Sequence, residues 1–166
     1  MDINKLIALF GKEYRDKELI DFFYKDGFDI VKEVQKWMQT DYYEGAESSV
    51  YAENTSKGYS LVCEDELDFL DIEDGRYGES GNYYFTCIHI YAQGVDDYNQ
   101  YNDELLNGIK MTDTQDIVRG KMGNNYKRHD FLDVDIWNNV HGCQVFVDYK
   151  EKTTPQIFSI SLEKRS

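Results

Sequence analysis

The stretch that decides the fold is NYYFTCIHIYA, residues 82–92. Aromatic and β-branched residues dominate it, and both kinds are enriched in β-strands. Its apolar run is too continuous for a strand at the fully exposed edge of a sheet. Gly94 interrupts the pattern soon afterwards. We therefore predict a β-sheet in which residues 82–92 form an inner strand.

Upstream of this strand, the sequence predicts a β-hairpin. The segments SSVYAEN (48–54) and GYSLVCE (58–64) consist largely of strand-forming residues, and the residues between them have the composition of a turn. Residues 64–81 are rich in acids and contain three glycines, so we predict a loop there.

The first forty residues predict two short helices and one ambiguous segment. Apolar residues within 3–10 recur at helical spacing, with Asp2 as a candidate N-cap and Gly11 as the end. A second helical pattern begins at Asp16. Residues 28–40 mix strand and helix spacing, and we predict a strand for their first half.

The last third of the chain predicts one helix followed by a β-meander. Asp113 is a candidate N-cap for a helix that ends at Gly123. The segments 132–139, 143–149 and 156–164 alternate apolar and polar residues, as half-buried strands do. The sequence as a whole predicts an α+β fold: a single domain, residues 1–166, with an antiparallel β-sheet of about six strands and with the N-terminal helices and one later helix packed on it.

The charge of the protein is concentrated in one segment. Residues 41–104 contain sixteen acidic and two basic residues, so this segment alone accounts for the net charge of −14. Such a segment is typical either of a surface that attracts a basic partner or of a solvated acidic face. Ten tyrosines lie among the acids: Tyr42, Tyr43, Tyr51, Tyr59, Tyr77, Tyr83, Tyr84, Tyr91, Tyr98 and Tyr101.

Two patches of this segment are our candidate partner-binding residues. Clustered carboxylates would steer a basic partner, and exposed tyrosines would add contact area with a hydroxyl that can pair with Arg or Lys. The first patch consists of Glu64, Asp65, Glu66, Asp68, Asp71, Glu73 and Asp74. The second patch consists of Asp96, Asp97, Tyr98 and Tyr101.

The composition argues against several other classes of protein. A pI near 4.5 disfavours direct binding of nucleic acid, because Lys and Arg supply phosphate contacts. The sequence contains no apolar run long enough for a membrane span, and its N-terminus does not have the pattern of an export signal, so we expect a cytoplasmic protein. Cys63, Cys87 and Cys143 are odd in number and widely spaced, which predicts reduced, mostly buried thiols.

The sequence carries no strong catalytic or metal-binding motif. His89, His129 and His141 do not have metal-ligand spacing, and ordinary structural or exposed histidines are the favoured interpretation. Counting from Asp71, the next glycine falls at the fifth position, whereas the calcium-binding EF-hand loop needs it at the sixth. We therefore predict no enzymatic activity, no catalytic residue, no metal and no cofactor.

The layout of the chain resembles a known family. The segments that carry this likeness are KLIALFGKEYRDKELIDFF (5–23), YYFTCIHIYAQGVDDYNQYNDELLNGIKM (83–111) and the tail with DTQDIVRGKMGNN, DIWNN and CQVFVDYKEK. In these segments the protein resembles the small acidic immunity proteins encoded beside bacterial contact-dependent growth-inhibition and related polymorphic toxins.

That resemblance implies a cytosolic inhibitor without enzymatic activity. Such a protein binds the C-terminal domain of its cognate toxin, often a nuclease, and blocks or covers the active site. Two other functions stay open. The protein could be an acidic nucleic-acid mimic or adaptor that binds a basic host protein, or it could be an enzyme or metal-binding protein.

Overall fold

The computed structural model describes residues 1–40, 48–72, 78 and 80–163, which form an α+β fold. The described helices are α1 (Ile3–Ile7), α2 (Lys17–Tyr24), α3 (Ile30–Trp37), α4 (Glu66–Phe69) and α5 (Gln115–Met122). The strands are β1 (Ser49–Asn54), β2 (Tyr59–Asp65), β3 (Tyr83–Tyr91), β4 (Lys127–His129), β5 (Val134–Val140), β6 (Cys143–Asp148) and β7 (Ile157–Leu162).

The seven strands form one open antiparallel sheet in the order β1-β2-β3-β7-β6-β5-β4. The strand β3, which the sequence placed inside a sheet, lies between β2 and β7, so that prediction is confirmed. In the meander formed by β5, β6 and β7, Asp135 pairs with Val147 and Val147 pairs with Phe158, so these three residues form one row across the strands. All three residues of this row are buried, so one face of the meander is covered.

Four sequence-based predictions differ from the structure. The first half of residues 28–40 is not a strand: Asp29 accepts a hydrogen bond from the backbone of Lys32 and caps α3, whose Ile30 and Val34 are buried one turn apart. The first helix ends at Ile7, before Phe10. Residue 114, rather than Asp113, occupies the N-cap position of α5. Residues 64–81, predicted as a loop, contain the short helix α4. The predicted antiparallel sheet of about six strands is confirmed by the seven strands observed, of which the short β4 gave no periodic signal in the sequence.

Contacts along the chain divide it into two compact units. The second unit comprises Ala8–Glu53 and Ser60–Cys87. Its aromatic core is built around Phe23, whose ring makes edge contacts with Phe28 at 5.8 Å and with Phe85 at 6.0 Å between centroids. The turn after α1 pairs with β3, since the backbone of Gly11 donates to Phe85 at 2.8 Å.

The first unit comprises Met1–Ile7, Asn54–Tyr59 and Ile88–Ser166. Its described core includes the buried residues Leu6, Tyr59, Ile88, Ile90, Val118, Val134, Trp137, Val145, Val147, Phe158 and Ile160. Among the described helices, none is long and apolar enough to cross a bilayer.

None of the three cysteines forms a disulfide, as the sequence predicted. Cys63 and Cys143 are buried and Cys87 is half-buried. Burial raises the pKa of Cys87 to about 12 and that of Cys143 to about 11, so both are protonated at neutral pH. A protonated thiol is a poor nucleophile, which fits the structural role expected for them.

Candidate partner-binding surface

The second predicted patch belongs to a tight loop that follows β3, residues 93–101, which we call the acidic loop. Gly94 adopts a left-handed conformation with φ of 76°, and its backbone N–H donates to the carbonyl of Tyr98 at 2.9 Å. Between them, Asp96 and Asp97 also have positive φ angles, of 47° and 64°. Left-handed backbone is uncommon for residues other than glycine, although Asp and Asn tolerate it best. The loop therefore presents two adjacent, exposed carboxylates in a defined conformation.

The tyrosines of this patch do not form the exposed contact area that the sequence analysis expected. Tyr98 is 4% exposed and Tyr101 is 3% exposed. The ring of Tyr98 stacks on Tyr91 of β3, with 3.9 Å between centroids and 13° between planes. The backbone of Tyr101 donates to Tyr91 at 3.1 Å. That expectation is wrong because the rings turn inward and anchor the loop on the strand.

The β1–β2 turn holds the acidic loop from its other side. The backbone N–H of Asn99 donates to the carbonyl of Thr55 at 2.9 Å, and its side-chain amide donates to the carbonyl of Ser56 at 3.2 Å. Gly58 lies against the loop: a Cβ at this position would be 2.3 Å from the carbonyl oxygen of Asn99 and 2.6 Å from the backbone nitrogen of Tyr101. The loop is thus fixed by an aromatic stack, backbone hydrogen bonds and a close backbone contact.

The first predicted patch lies in the second unit, around α4. Asp65 is fully buried, and its carboxylate accepts from the backbone of Leu67 at 3.0 Å and from the Ser80 hydroxyl at 3.5 Å. A buried carboxylate that caps a helix cannot meet a partner, so the expected exposure of Asp65 is wrong.

The other described acids of the first patch differ in their exposure. Glu64, Glu66 and Asp68 are half-buried, and only Asp71 is exposed. Glu66 accepts hydrogen bonds from the Asn82 amide at 3.2 Å and from the Tyr84 hydroxyl at 3.3 Å. Burial, together with the charge of Glu66, raises the pKa of Tyr84. This carboxylate holds α4 to the start of β3.

Parts of the predicted acidic surface fall outside the described residues. They are Glu73 and Asp74 of the first patch, and Tyr42, Tyr43 and Tyr77 among the tyrosines.

The histidines occupy three different environments. His89 is half-buried in β3, and its Nδ1 lies 2.7 Å from the hydroxyl oxygen of Ser159 on β7. Burial lowers the pKa of His89, so the neutral imidazole is favoured. His129 and His141 are exposed. Within the described part of the chain, no three His, Cys, Asp or Glu side chains are arranged to hold a metal ion.

A buried ionic cluster in the first unit was missed by the sequence analysis. Asp135 is fully buried in β5 and accepts two hydrogen bonds from Arg119 of α5, at 2.8 and 2.9 Å. Arg128 of β4 donates to the same carboxylate at 3.2 Å and also to Asp133. The Arg128 hydrogen bond lowers the pKa of Asp133. One signal was available in the sequence: an acid at an inward position of an alternating strand requires a cationic partner.

The cluster joins α5, β4 and β5 rather than forming an open binding site. The Arg119 guanidinium also lies 4.8 Å from the centre of the Tyr126 ring. Both arginines are occupied by carboxylates of their own chain, so the arrangement acts as a structural clamp.

The comparisons with known proteins give no relative for this chain. No family model, no curated protein and no solved structure matches it.

Proposed function

We propose that the protein is a cytoplasmic immunity protein that binds a cognate toxin domain and neutralises it by blocking its active site, without enzymatic activity of its own. The toxin domain would be basic, as a nuclease is. The observation that supports this proposal best is the acidic loop. In it Asp96 and Asp97 are exposed and have a defined backbone conformation.

The rigidity of the loop matters for affinity. A loop that is already ordered loses little conformational entropy when it binds, so more of the interaction energy appears as affinity. The left-handed residues Asp96 and Asp97 cost conformational energy, and strain of this kind is common at binding sites, where the surrounding structure maintains it. Here Tyr98, Tyr101 and Asn99 supply that support.

The charge of the loop fits a basic partner. Carboxylates accept short, strong hydrogen bonds from Arg and Lys, and an acidic surface accelerates encounter with a positively charged protein. Nucleases bind phosphates through cationic clefts. Two adjacent carboxylates can occupy such cationic positions in place of the phosphates, and this would block the cleft.

The first test is titration calorimetry with the toxin C-terminal domain encoded by the neighbouring upstream gene. We expect one-to-one binding that weakens as salt is added, because exposed charges are screened. The variant Asp96→Asn/Asp97→Asn should lower the affinity at least about tenfold. Asn tolerates the left-handed conformation, so this variant removes charge without forcing the loop to change shape.

A matched variant separates the loop from general acidity. Asp21→Asn/Asp116→Asn removes two exposed carboxylates from α2 and α5 and should leave the affinity unchanged. Equal losses of affinity in both variants would show that only the net charge of the protein matters.

If the upstream domain does not bind, the proposal of immunity fails. Recovery of a DNA-binding host protein that binds the same loop would point to nucleic-acid mimicry.

A further inference from the structure

The connection between β4 and β5, residues 130–133, exposes two apolar side chains that the proposed function does not use. Phe131 is 93% exposed and Leu132 is 52% exposed, in the short 3-10 helix Asp130–Leu132. Single exposed apolar residues are ordinary, but a phenylalanine almost wholly in water beside a second apolar side chain is typical of a contact surface. We call residues 130–133 the apolar tip.

The topology of the first unit places the apolar tip and the acidic loop at the same end of the sheet. In the antiparallel order β3-β7-β6-β5-β4, the end of β3 lies beside the start of β7, and the end of β6 lies beside the start of β5. The acidic loop follows β3, residues 149–156 connect β6 to β7, and the apolar tip connects β4 to β5. All three connections belong to the first unit, and together we call them the loop end.

Hydrogen bonds join the members of the loop end to one another. Ala92, the residue before the acidic loop, donates from its backbone to the carbonyl of Gln156 at 2.9 Å. The backbone of Glu151 donates to the carboxylate of Asp133 at 2.7 Å, and the backbone of Tyr149 donates to the carbonyl of Asp133 at 3.2 Å. Neighbouring strands lie about 4.8 Å apart, so the three spacings from β3 to β5 separate the acidic loop from the apolar tip by about 14 Å. An ordinary interface, of about 800 Å² per partner, is wide enough to cover both.

Each connection of the loop end contains non-glycine residues in left-handed backbone. They are Asp96 and Asp97 in the acidic loop, Asp133 in the apolar tip, and Lys150 and Glu151 between β6 and β7. The backbone of Lys152 donates to the carbonyl of Tyr149 at 2.8 Å and closes a tight turn around Lys150 and Glu151. Asn and Gly are the usual residues where two successive φ angles are positive, so charged residues at these positions cost conformational energy. Such strain is common at binding sites.

We propose that the toxin domain that binds the acidic loop also binds the apolar tip, and that Phe131 enters an apolar pocket beside its cationic cleft. This inference rests on the proposed function and extends its surface. Aromatic side chains that fill pockets supply much of the energy of protein–protein binding, whereas exposed charges mainly steer the encounter. Between the two sites, the exposed residues Lys150, Glu151 and Lys152 carry one net positive charge. The attraction for a basic partner therefore comes from the acidic loop, and the apolar contact comes from the tip.

Titration calorimetry of the full-length protein with the toxin C-terminal domain tests the inference. Phe131→Ser should weaken binding about tenfold at both about 50 mM and about 500 mM NaCl, because salt does not screen an apolar contact. The loss in Asp96→Asn/Asp97→Asn should instead shrink at the higher salt concentration. Phe131→Leu keeps part of the apolar contact and should lose less affinity than Phe131→Ser. Since the ring is almost wholly exposed, both variants of Phe131 should unfold at the temperature of the wild type.

The matched control is Tyr24→Ser, which removes another exposed aromatic ring, 73% exposed in α2. It should leave the affinity for the toxin domain unchanged, and a loss equal to that of Phe131→Ser overturns the inference.

Two further outcomes distinguish this inference from the proposed function. If Phe131→Ser binds the toxin domain as the wild type does while Asp96→Asn/Asp97→Asn binds more weakly, the role of the apolar tip is overturned and the proposed function stands. If Phe131→Ser then lowers self-association in sedimentation velocity, or binding to phosphatidylglycerol vesicles, the tip serves a second copy or a membrane instead. A wild type that does not bind the toxin domain overturns both proposals.

Discussion

At the scale of single residues, Gly58 links the hairpin turn to the acidic loop. Its φ is 79°, and a Cβ would lie 2.3 Å from the Asn99 carbonyl oxygen, closer than carbon and oxygen can approach without a backbone shift. We expect Gly58→Ala to lower the free energy of unfolding by about 2–4 kcal/mol, measured in urea.

Gly94→Ala is the matched control for this prediction. Gly94 has nearly the same φ, 76°, but nothing lies within 4 Å of a Cβ there. Only the conformational cost applies, so a loss of about 1 kcal/mol is expected. Equal losses in the two variants would mean that the close contact under the loop contributes nothing to stability.

His89 makes stability depend on pH. The folded protein lowers its pKa below the usual 6.5, so near and below that pH the unfolded chain binds a proton that the folded chain does not. The free energy of unfolding therefore falls as the pH drops through this range, by at most about 1.4 kcal/mol per pH unit for one proton. His89→Gln should flatten the slope of urea-derived stability against pH between about 7.5 and about 5.5. A slope that is unchanged in His89→Gln would assign the pH dependence to other groups.

Residue types were easier to predict from the sequence than their exposure. The clustering of acids and tyrosines was visible, yet Tyr98 and Tyr101 face inward and Asp65 is fully buried. A tyrosine is suited both to a surface and to a core, since it combines a large apolar ring with one polar atom. Only the path of the backbone around β3 decides between the two environments.

At the scale of elements, the sequence predicted the start of a helix correctly where a single capping residue fixes it. Asp16 accepts hydrogen bonds from the backbone of Glu18 and Leu19 and begins α2 where the sequence predicted it. The pattern failed at residues 28–40, because a short amphipathic helix and a short strand can share the same apolar residues. β4 has exposed or half-buried residues only, so no hydrophobic period marks it.

The ionic cluster should control how firmly α5 and β4 are held to β5. Asp135→Ala would leave Arg119 without its buried partner, and we expect a loss of about 3–5 kcal/mol in the free energy of unfolding. Chemical denaturation measures this. Hydrogen exchange should also accelerate in β4, because Arg128 loses one of its carboxylates.

An exposed acid of α5 provides the comparison. Asp116→Ala removes a carboxylate from the first turn of the same helix and should cost no more than about 1 kcal/mol. Similar losses for the two variants would contradict the role of the cluster as a clamp.

At the scale of the whole molecule, the fold class followed from the sequence, but the strand order did not. Alternation of apolar residues identified β5, β6 and β7 as half-buried strands. The pairing of β7 with β3 joins segments more than sixty residues apart, and no local pattern encodes such a partner. The concentration of charge in residues 41–104 was likewise visible without any structure.

If the acidic loop binds a partner as we propose, its charge and backbone conformation should lower the free energy of unfolding by an amount that can be measured. The adjacent carboxylates of Asp96 and Asp97 repel each other in a chain of net charge −14. Both residues also have left-handed backbone conformations. Asp96→Asn/Asp97→Asn removes the repulsion and keeps residues that accept this backbone. We expect it to raise the free energy of unfolding by about 0.5–1 kcal/mol while it weakens partner binding, the trade-off found where a site is kept for function.

The salt dependence of stability separates the two causes of the higher free energy of unfolding expected for Asp96→Asn/Asp97→Asn, which are the loss of charge repulsion and the fit of Asn to left-handed backbone. Between about 20 mM and about 500 mM NaCl, screening should remove the part that comes from charge repulsion, so the stability advantage of the Asn variant should shrink. Any advantage that persists at high salt reflects the better fit of Asn to left-handed backbone. A variant that is less stable than the wild type at low salt would instead mean that these carboxylates stabilise the loop, and the strain would then have no functional explanation.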